Sequence, residues 1–133
     1  MTADWVIDTD ALTKRYGGQI LAVDNLTLRV RRGEVYGFVG PNGAGKTTTL
    51  RMLLGLVRPS SGTASVLGRH PGSKEALVRV GAMIEGAAFY PFLSGRENLR
   101  VMARHSGVPF ERIDHALGQV GLSPRADDDF STY

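Results

Sequence analysis

One short run constrains the fold more than anything else in the chain. Gly40, Pro41, Asn42, Gly43, Ala44, Gly45, Lys46, Thr47 and Thr48 fit the pattern G-x-x-x-x-G-K-[ST]. Before them, residues 35–39 are apolar enough to read as a buried strand. After them, residues 47–57 read as a helix with Leu50, Leu53, Leu54 and Val57 on one face. Strand, glycine loop and helix in that order make the run a P-loop rather than a chance match. Small residues let successive backbone N–H groups turn inward and ring an anion. The helix N-terminus adds partial positive charge at the same spot. A turn that merely caps a helix has no need of Lys and then Thr at these offsets. A polyphosphate is therefore the expected ligand, with Lys46 reaching its β- and γ-phosphates and Thr47 setting a hydroxyl on Mg²⁺.

The rest of the composition narrows the class. A chain of 133 residues makes one domain of ordinary size, and 42 % hydrophobic content supports a packed core rather than disorder. The net charge of +3 suits phosphate or an anionic membrane surface and is too small to argue for nucleic acid. There is no cysteine, which excludes disulfides, Cys-based zinc sites and thiol catalysis. The opening Met1-Thr2-Ala3-Asp4-Trp5 lacks both a basic start and an apolar run, so no signal peptide is expected. No stretch approaches the roughly 18 apolar residues of a membrane span. A cytoplasmic chain is the expectation.

Local patterns predict the remaining elements. Residues 6–12 read as a strand, and Gly17-Gly18 as a turn. Residues 21–30 read as a half-buried antiparallel strand, because Leu26, Leu28 and Val30 alternate with Thr27, Arg29 and Arg31. Residues 63–67 predict a short strand, 73–79 a short helix, and 80–84 a second buried strand ending at Glu85. Ser94-Gly95-Arg96-Glu97 is a capping box opening a helix that runs to about residue 105 and stops at Gly107. A last helix carries Phe110, Ile113, Leu117 and Val120 on one face. Strand signals give way to helical ones near residue 93, which divides the chain into 1–92 and 93–133. His70, His105 and His115 do not cluster by spacing, and Asp127, Asp128 and Asp129 read as a solvated turn.

Three separated elements resemble the nucleotide-binding domain of an ABC transporter. Tyr16, in Leu12-Thr13-Lys14-Arg15-Tyr16, is similar to the family's aromatic loop that stacks on adenine. Residues 33–39 lead into Gly-Pro-Asn-Gly-Ala-Gly-Lys-Thr-Thr, the ABC form of the P-loop. Gly95-Arg96-Glu97-Asn98-Leu99 resembles the opening of the family's helical subdomain. The resemblance covers essentially the whole chain. It implies an α/β P-loop core with an antiparallel β-subdomain and the start of an α-helical subdomain. It also implies ATP and Mg²⁺ as ligands, a membrane-spanning permease and a second nucleotide-binding domain as partners, and a place on the inner face of the cell membrane. Tyr16 would hold adenine, a stack worth about 1–3 kcal/mol by analogy with bases on aromatic platforms. Val23 reads either as an apolar wall beside the base or as plain strand core.

Glu85 departs from the family pattern. ABC domains usually carry Gln at the end of this strand, where it touches Mg²⁺ and the attacking water. Gly81-Ala82-Met83-Ile84-Glu85 instead resembles the drug-, lantibiotic- and bacitracin-exporter branch, which has Glu there. A carboxylate is a hard oxygen ligand and serves Mg²⁺ at least as well as an amide. On that resemblance Glu85 is a catalytic and metal-binding candidate beside Lys46 and Thr47. An apolar strand ending in an acid also has the form of a Walker B segment, and an exposed Glu at a strand end is the third reading.

The signature loop, the Walker B strand with its catalytic Glu and the switch His of the family do not occur in the 133 residues. The sequence thus resembles the N-terminal half of an ABC domain, ending before the signature. The expectation is a chain that binds nucleotide and by itself hydrolyses it very poorly. The alternatives are a truncated nucleotide-binding module or a gene remnant without its own turnover, and a soluble ABC protein acting on DNA or translation.

Overall fold

The computed structural model describes residues 4–133, so the reading of the first three residues as no leader lies outside the described residues. The chain divides into two compact units, the first ending at Ile84 and the second running from Glu85 to Tyr133.

Three antiparallel strands frame the first unit: β1 (Trp5–Tyr16), β2 (Ile20–Arg31) and β3 (Ser61–Val66), in the order β2-β1-β3. The alternation seen in the sequence sets the faces of β2. Leu28 and Val30 are buried, while Thr27, Arg29 and Arg31 are exposed. β1 runs beyond the predicted residue 12, because the polar stretch 13–16 still pairs with β2, through Lys14↔Val23, Arg15↔Leu21 and Tyr16↔Ile20. Gly17 and Gly18, at φ +56 and +75, supply the left-handed backbone of the connecting turn.

The β1–β2 ladder has four register irregularities, and the two in its middle shape it most. β1 gains a residue between Thr9↔Leu28 and Leu12↔Leu26, and β2 gains one between Leu12↔Leu26 and Lys14↔Val23. Ala11 (φ +47) and Asn25 (φ +44) mark them. Bulges free backbone groups that must find other partners when buried. Two buried hydroxyls provide these. Thr9 Oγ1 donates to the Leu26 carbonyl at 3.0 Å and accepts from the Leu28 N–H at 2.9 Å. Thr13 Oγ1 donates to the Ala11 carbonyl at 3.1 Å and accepts from the Asn25 N–H at 3.0 Å. β3 presses on the first bulge through Gly62, where φ is +79 and a Cβ would overlap the Ala11 carbonyl. Left-handed strain and overpacking then act together, so Gly62→Ala is expected to lose about 2–4 kcal/mol in a urea melt. Gly68→Ala, left-handed but with open space around its Cβ, should lose only about 1 kcal/mol. Equal midpoints for the two variants would refute the close approach.

Helix α1 (Lys46–Leu53) lies against this sheet through Met52, which shares a buried cluster with Leu12 and Val23. The helix is shorter than the predicted 47–57. It ends in a turn containing Gly55, whose φ of +73 and contact with Gly72 backbone leave no room for a side chain. α2 (Lys74–Leu77) is capped by Ser73.

Two expected strands do not form. Residues 35–39 and 80–84 carry no strand pairing among the described residues, and Val35 and Val39 are 99 % and 92 % exposed. A strand buried on both faces needs ladder neighbours and covering layers. The β2-β1-β3 sheet supplies neither to these segments.

The second unit holds α3 (Gly95–Ser106) and α4 (Glu111–Gln119) around Ala103, Ile113, Leu117 and Ala126. The capping box is present in full. Ser94 Oγ accepts from the Glu97 N–H, and Glu97 Oε2 accepts from the Ser94 N–H at 2.8 Å. That backbone N–H, followed by the Ser94 hydroxyl, holds the Glu97 carboxyl below its ordinary range. Gly107 closes α3 in the left-handed conformation. On α4 only Ile113 and Leu117 are buried, because Phe110 and Val120 fall at the two caps. Asp127 and Asp128 are engaged by guanidinium groups, Asp127 by Arg96 at 2.8 Å and Asp128 by Arg125 at 3.0 Å.

Candidate phosphate-binding site

The glycine loop is shaped by two left-handed residues, Gly43 at φ +83 and Gly45 at φ +91. Gly45 is also the N-cap of α1. A Cβ there would overlap the Ala22 carbonyl of β2 and stand 3.0 Å from Val23 Cγ2. The loop is thus pressed onto the sheet, and only glycine permits the approach. Pro41 to Ala44 make a tight turn, with the Ala44 N–H on the Pro41 carbonyl at 3.1 Å. Pro41, Asn42, Gly43 and Ala44 are exposed.

At the helix start, the Thr49 N–H bonds the Gly45 carbonyl at 2.9 Å, and the Thr49 hydroxyl shares that oxygen. The amides before it have no carbonyl four residues back within the helix. No acidic residue stands in the first turn of α1 to answer their positive end. Lys46 curls back over the loop, its ammonium donating to the Gly40 carbonyl and to the Pro41 carbonyl at 2.7 Å. Thr47 and Thr48 stand half-buried in the same turn. Helix-start amides, the Lys46 ammonium and the Thr47 and Thr48 hydroxyls belong to one turn, a donor set that fits a polyphosphate. A single hydroxyl at Thr47 also fits Mg²⁺, which takes few protein ligands and completes its shell with phosphate oxygens and water.

Tyr16 stands at the end of β1, 39 % exposed. The strand end beneath it is tied to the chain that leaves α1. The Arg15 N–H donates to Ser60 Oγ at 3.0 Å, the Ser60 N–H to the Thr13 carbonyl at 2.8 Å, and Lys14 Nζ to the Arg58 carbonyl at 2.7 Å. Val23 is buried between Leu12, Met52 and Gly45. Sheet and helix therefore carry Tyr16, Val23, the loop, Lys46 and Thr47 on one unit. Glu85 opens the other unit, exposed, in a left-handed backbone (φ +58) before Gly86. Such a conformation is uncommon for a residue with a side chain and gathers at functional turns. Sequence reading gave no role to Lys14 or Ser60. For Lys14 a signal existed, since its spacing of two from Tyr16 puts both on one strand face.

The model of the ABC transporter family matches residues 23–133. The chain belongs to the ABC transporter family. It is 47 % identical over 120 residues to the bacitracin transport ATP-binding protein BcrA of Bacillus licheniformis, covering 88 % of this chain and 39 % of that protein. To the daunorubicin/doxorubicin resistance ATP-binding protein DrrA of Streptomyces peucetius it is 42 % identical over 133 residues, covering 96 % and 40 %. A solved ATP-binding subunit of an ABC transporter superposes with a TM-score of 0.81 at 25 % identity, over 96 % of this chain and 55 % of that one. The ABC chain thus spans 39–40 % of the length of these two curated relatives. These relatives bear out the resemblance to the bacitracin- and drug-exporter branch. The α/β class with an antiparallel sheet followed by helices is that of an ABC ATPase domain in part. Among the described residues no helix is long and apolar enough to cross a membrane.

Proposed function

We propose that this chain is the Mg·ATP-binding part of an ABC exporter's motor. In the whole domain the nucleotide is hydrolysed, and a separate membrane-spanning permease uses the energy to export a drug- or peptide-like molecule. The observation that carries the reading is the Lys46 ammonium folded over the glycine loop, at a helix start with no acid in its first turn. When ATP enters, the ammonium exchanges the loop carbonyls for β- and γ-phosphate oxygens. The loop and helix-start amides other than that of Ala44 would face the phosphates, the Thr47 hydroxyl would hold the metal, and the Tyr16 ring would stack on the base. Glu85 is assigned to the metal and γ-phosphate, its exposed carboxylate offering the hard oxygen such a contact requires. In the whole protein the ABC domain pairs with a second nucleotide-binding domain on the inner face of the membrane. Segments 35–39 and 80–84 would find ladder partners among further strands of their own domain.

Phosphoryl transfer needs a residue that orients the attacking water, in addition to the phosphate cradle and the metal. These 133 residues supply the cradle. Calorimetric titration of the chain with ATP and Mg²⁺ should give saturable binding that inorganic triphosphate displaces, with turnover slower than about 1 per second. No detectable binding would overturn the proposal. Turnover at or above that rate, abolished by Lys46→Ala, would overturn the expectation that these residues by themselves bind nucleotide and hydrolyse it poorly.

A further inference from the structure

Lys14 is not an idle surface lysine. Its Nζ lies 5.0 Å from the centroid of the Tyr16 ring, inside cation–π range. The same Nζ donates to the Arg58 carbonyl at 2.7 Å, so the ammonium is held at a fixed point beside the ring. The backbone between the two residues is fixed as well. The Arg15 N–H and carbonyl both bond Ser60 Oγ, at 3.0 and 3.3 Å, and the Ser60 N–H bonds the Thr13 carbonyl at 2.8 Å. Because Lys14 and Tyr16 are two residues apart on β1, their side chains leave the same face of the strand. The ammonium therefore occupies one face of the ring. Tyr16 is still 39 % exposed, so the ammonium leaves part of its surface open to solvent.

We infer that Lys14 is a positioning and specificity-setting residue of the base platform: it clamps the Tyr16 ring from behind and tunes its open face for a purine. The inference rests on the proposed role of Tyr16. Two physical effects act in the same direction. A cation against one face draws π-density toward itself, and the depleted far face is a better partner for an electron-rich purine. Holding the ring in one rotamer also lowers the ordering cost of stacking. The Arg58 carbonyl adds a geometric consequence. It belongs to the chain just past α1, so the ammonium references the base platform to the helix whose N-terminus holds the phosphates.

The test uses the full chain and three substitutions, Lys14→Met, Lys14→Arg and Tyr16→Ala. Each is titrated with ATP, CTP and inorganic triphosphate, all with Mg²⁺. Lys14→Met keeps the stem and removes the cation. It should weaken ATP by about two- to fivefold, weaken CTP less, and leave triphosphate unchanged. Lys14→Arg should hold ATP affinity within twofold of the native chain. Thermal midpoints should not move. An equal loss for ATP and triphosphate would assign Lys14 to long-range attraction of phosphate and overturn the inference. So would unchanged ATP affinity in Lys14→Met, or an equal loss in Lys14→Arg. Tyr16→Ala separates this failure from a deeper one. If it leaves the ratio of ATP to triphosphate affinity unchanged, the base-stacking role of Tyr16 itself falls. If it shifts that ratio and Lys14→Met does not, the lysine inference alone falls.

Discussion

Lys46→Ala is expected to weaken ATP binding by about two orders of magnitude while leaving the thermal midpoint nearly unchanged. The two halves of that expectation have different causes. A hydrogen bond from a charged donor to a charged acceptor contributes about 1.5–3 kcal/mol, and Lys46 is positioned to reach two phosphates. The loss of both, about 3 kcal/mol, is more than a hundredfold in Kd. In the free chain the ammonium bonds only loop carbonyls, those of Gly40 and Pro41, at an exposed site where water replaces it readily. Titration calorimetry and a thermal melt on the same variant read both quantities. A loss under threefold in affinity would show that the ammonium does not engage phosphate. A large drop in midpoint would show that the loop carbonyls depend on it for their hydrogen bonding.

Gly45→Ala is expected to act in the opposite order, on the fold first and on binding as a result. Gly45 combines φ +91 with a direct approach to the Ala22 carbonyl of the neighbouring strand. The methyl group has to displace either β2 or the helix start. Backbone strain and overpacking each cost about 1–3 kcal/mol, so a stability loss of about 3 kcal/mol is expected in a denaturant melt. The same displacement moves the N-terminal amides of α1 from their arc, so ATP affinity should fall even at temperatures where the chain stays folded. Gly43 provides the control. It is left-handed too, at φ +83, but a Cβ there meets nothing within 4 Å. Gly43→Ala should therefore lose only about 1 kcal/mol. Identical losses at Gly43 and Gly45 would mean that contact with β2 does not matter and that backbone conformation explains both.

The contrast between those two glycines shows how far the sequence can be read. The G-x-x-x-x-G-K-[ST] pattern fixed Gly45 and left Gly43 at a free position, and it named Lys46 and Thr47 with their chemistry. It did not distinguish a glycine needed for its own dihedral angle from one needed because another strand lies against it. The capping box of α3 was fully legible, since Ser94 and Glu97 satisfy each other across three residues. The hairpin was legible from Gly17-Gly18 and from the alternation in β2, although β1 proved longer, because its polar end pairs with β2 without an apolar pattern to announce it. Residues 35–39 and 80–84 were misread as formed strands. Their apolar composition reports a preference for burial, whereas strand formation requires a neighbouring chain to accept the hydrogen bonds.

Sequence alone determined the features set by residues a few positions apart. These are the phosphate loop and its lysine, the helix caps, the turn glycines and the family that their combination resembles. Such features obey short-range sterics and hydrogen bonding, which the order of residues states directly. Tertiary structure decided the rest. It set Thr9 and Thr13 to satisfy the two bulges, brought Gly62 against Ala11 and Gly45 against Ala22, and fixed the Lys14 ammonium between the Arg58 carbonyl and the Tyr16 ring. Apart from the Lys14–Tyr16 contact, which lies within β1, each of these joins residues far apart in the chain. The long-range ones do not exist until β1, β2, β3 and α1 have packed, and nothing in the local sequence encodes the distance between them.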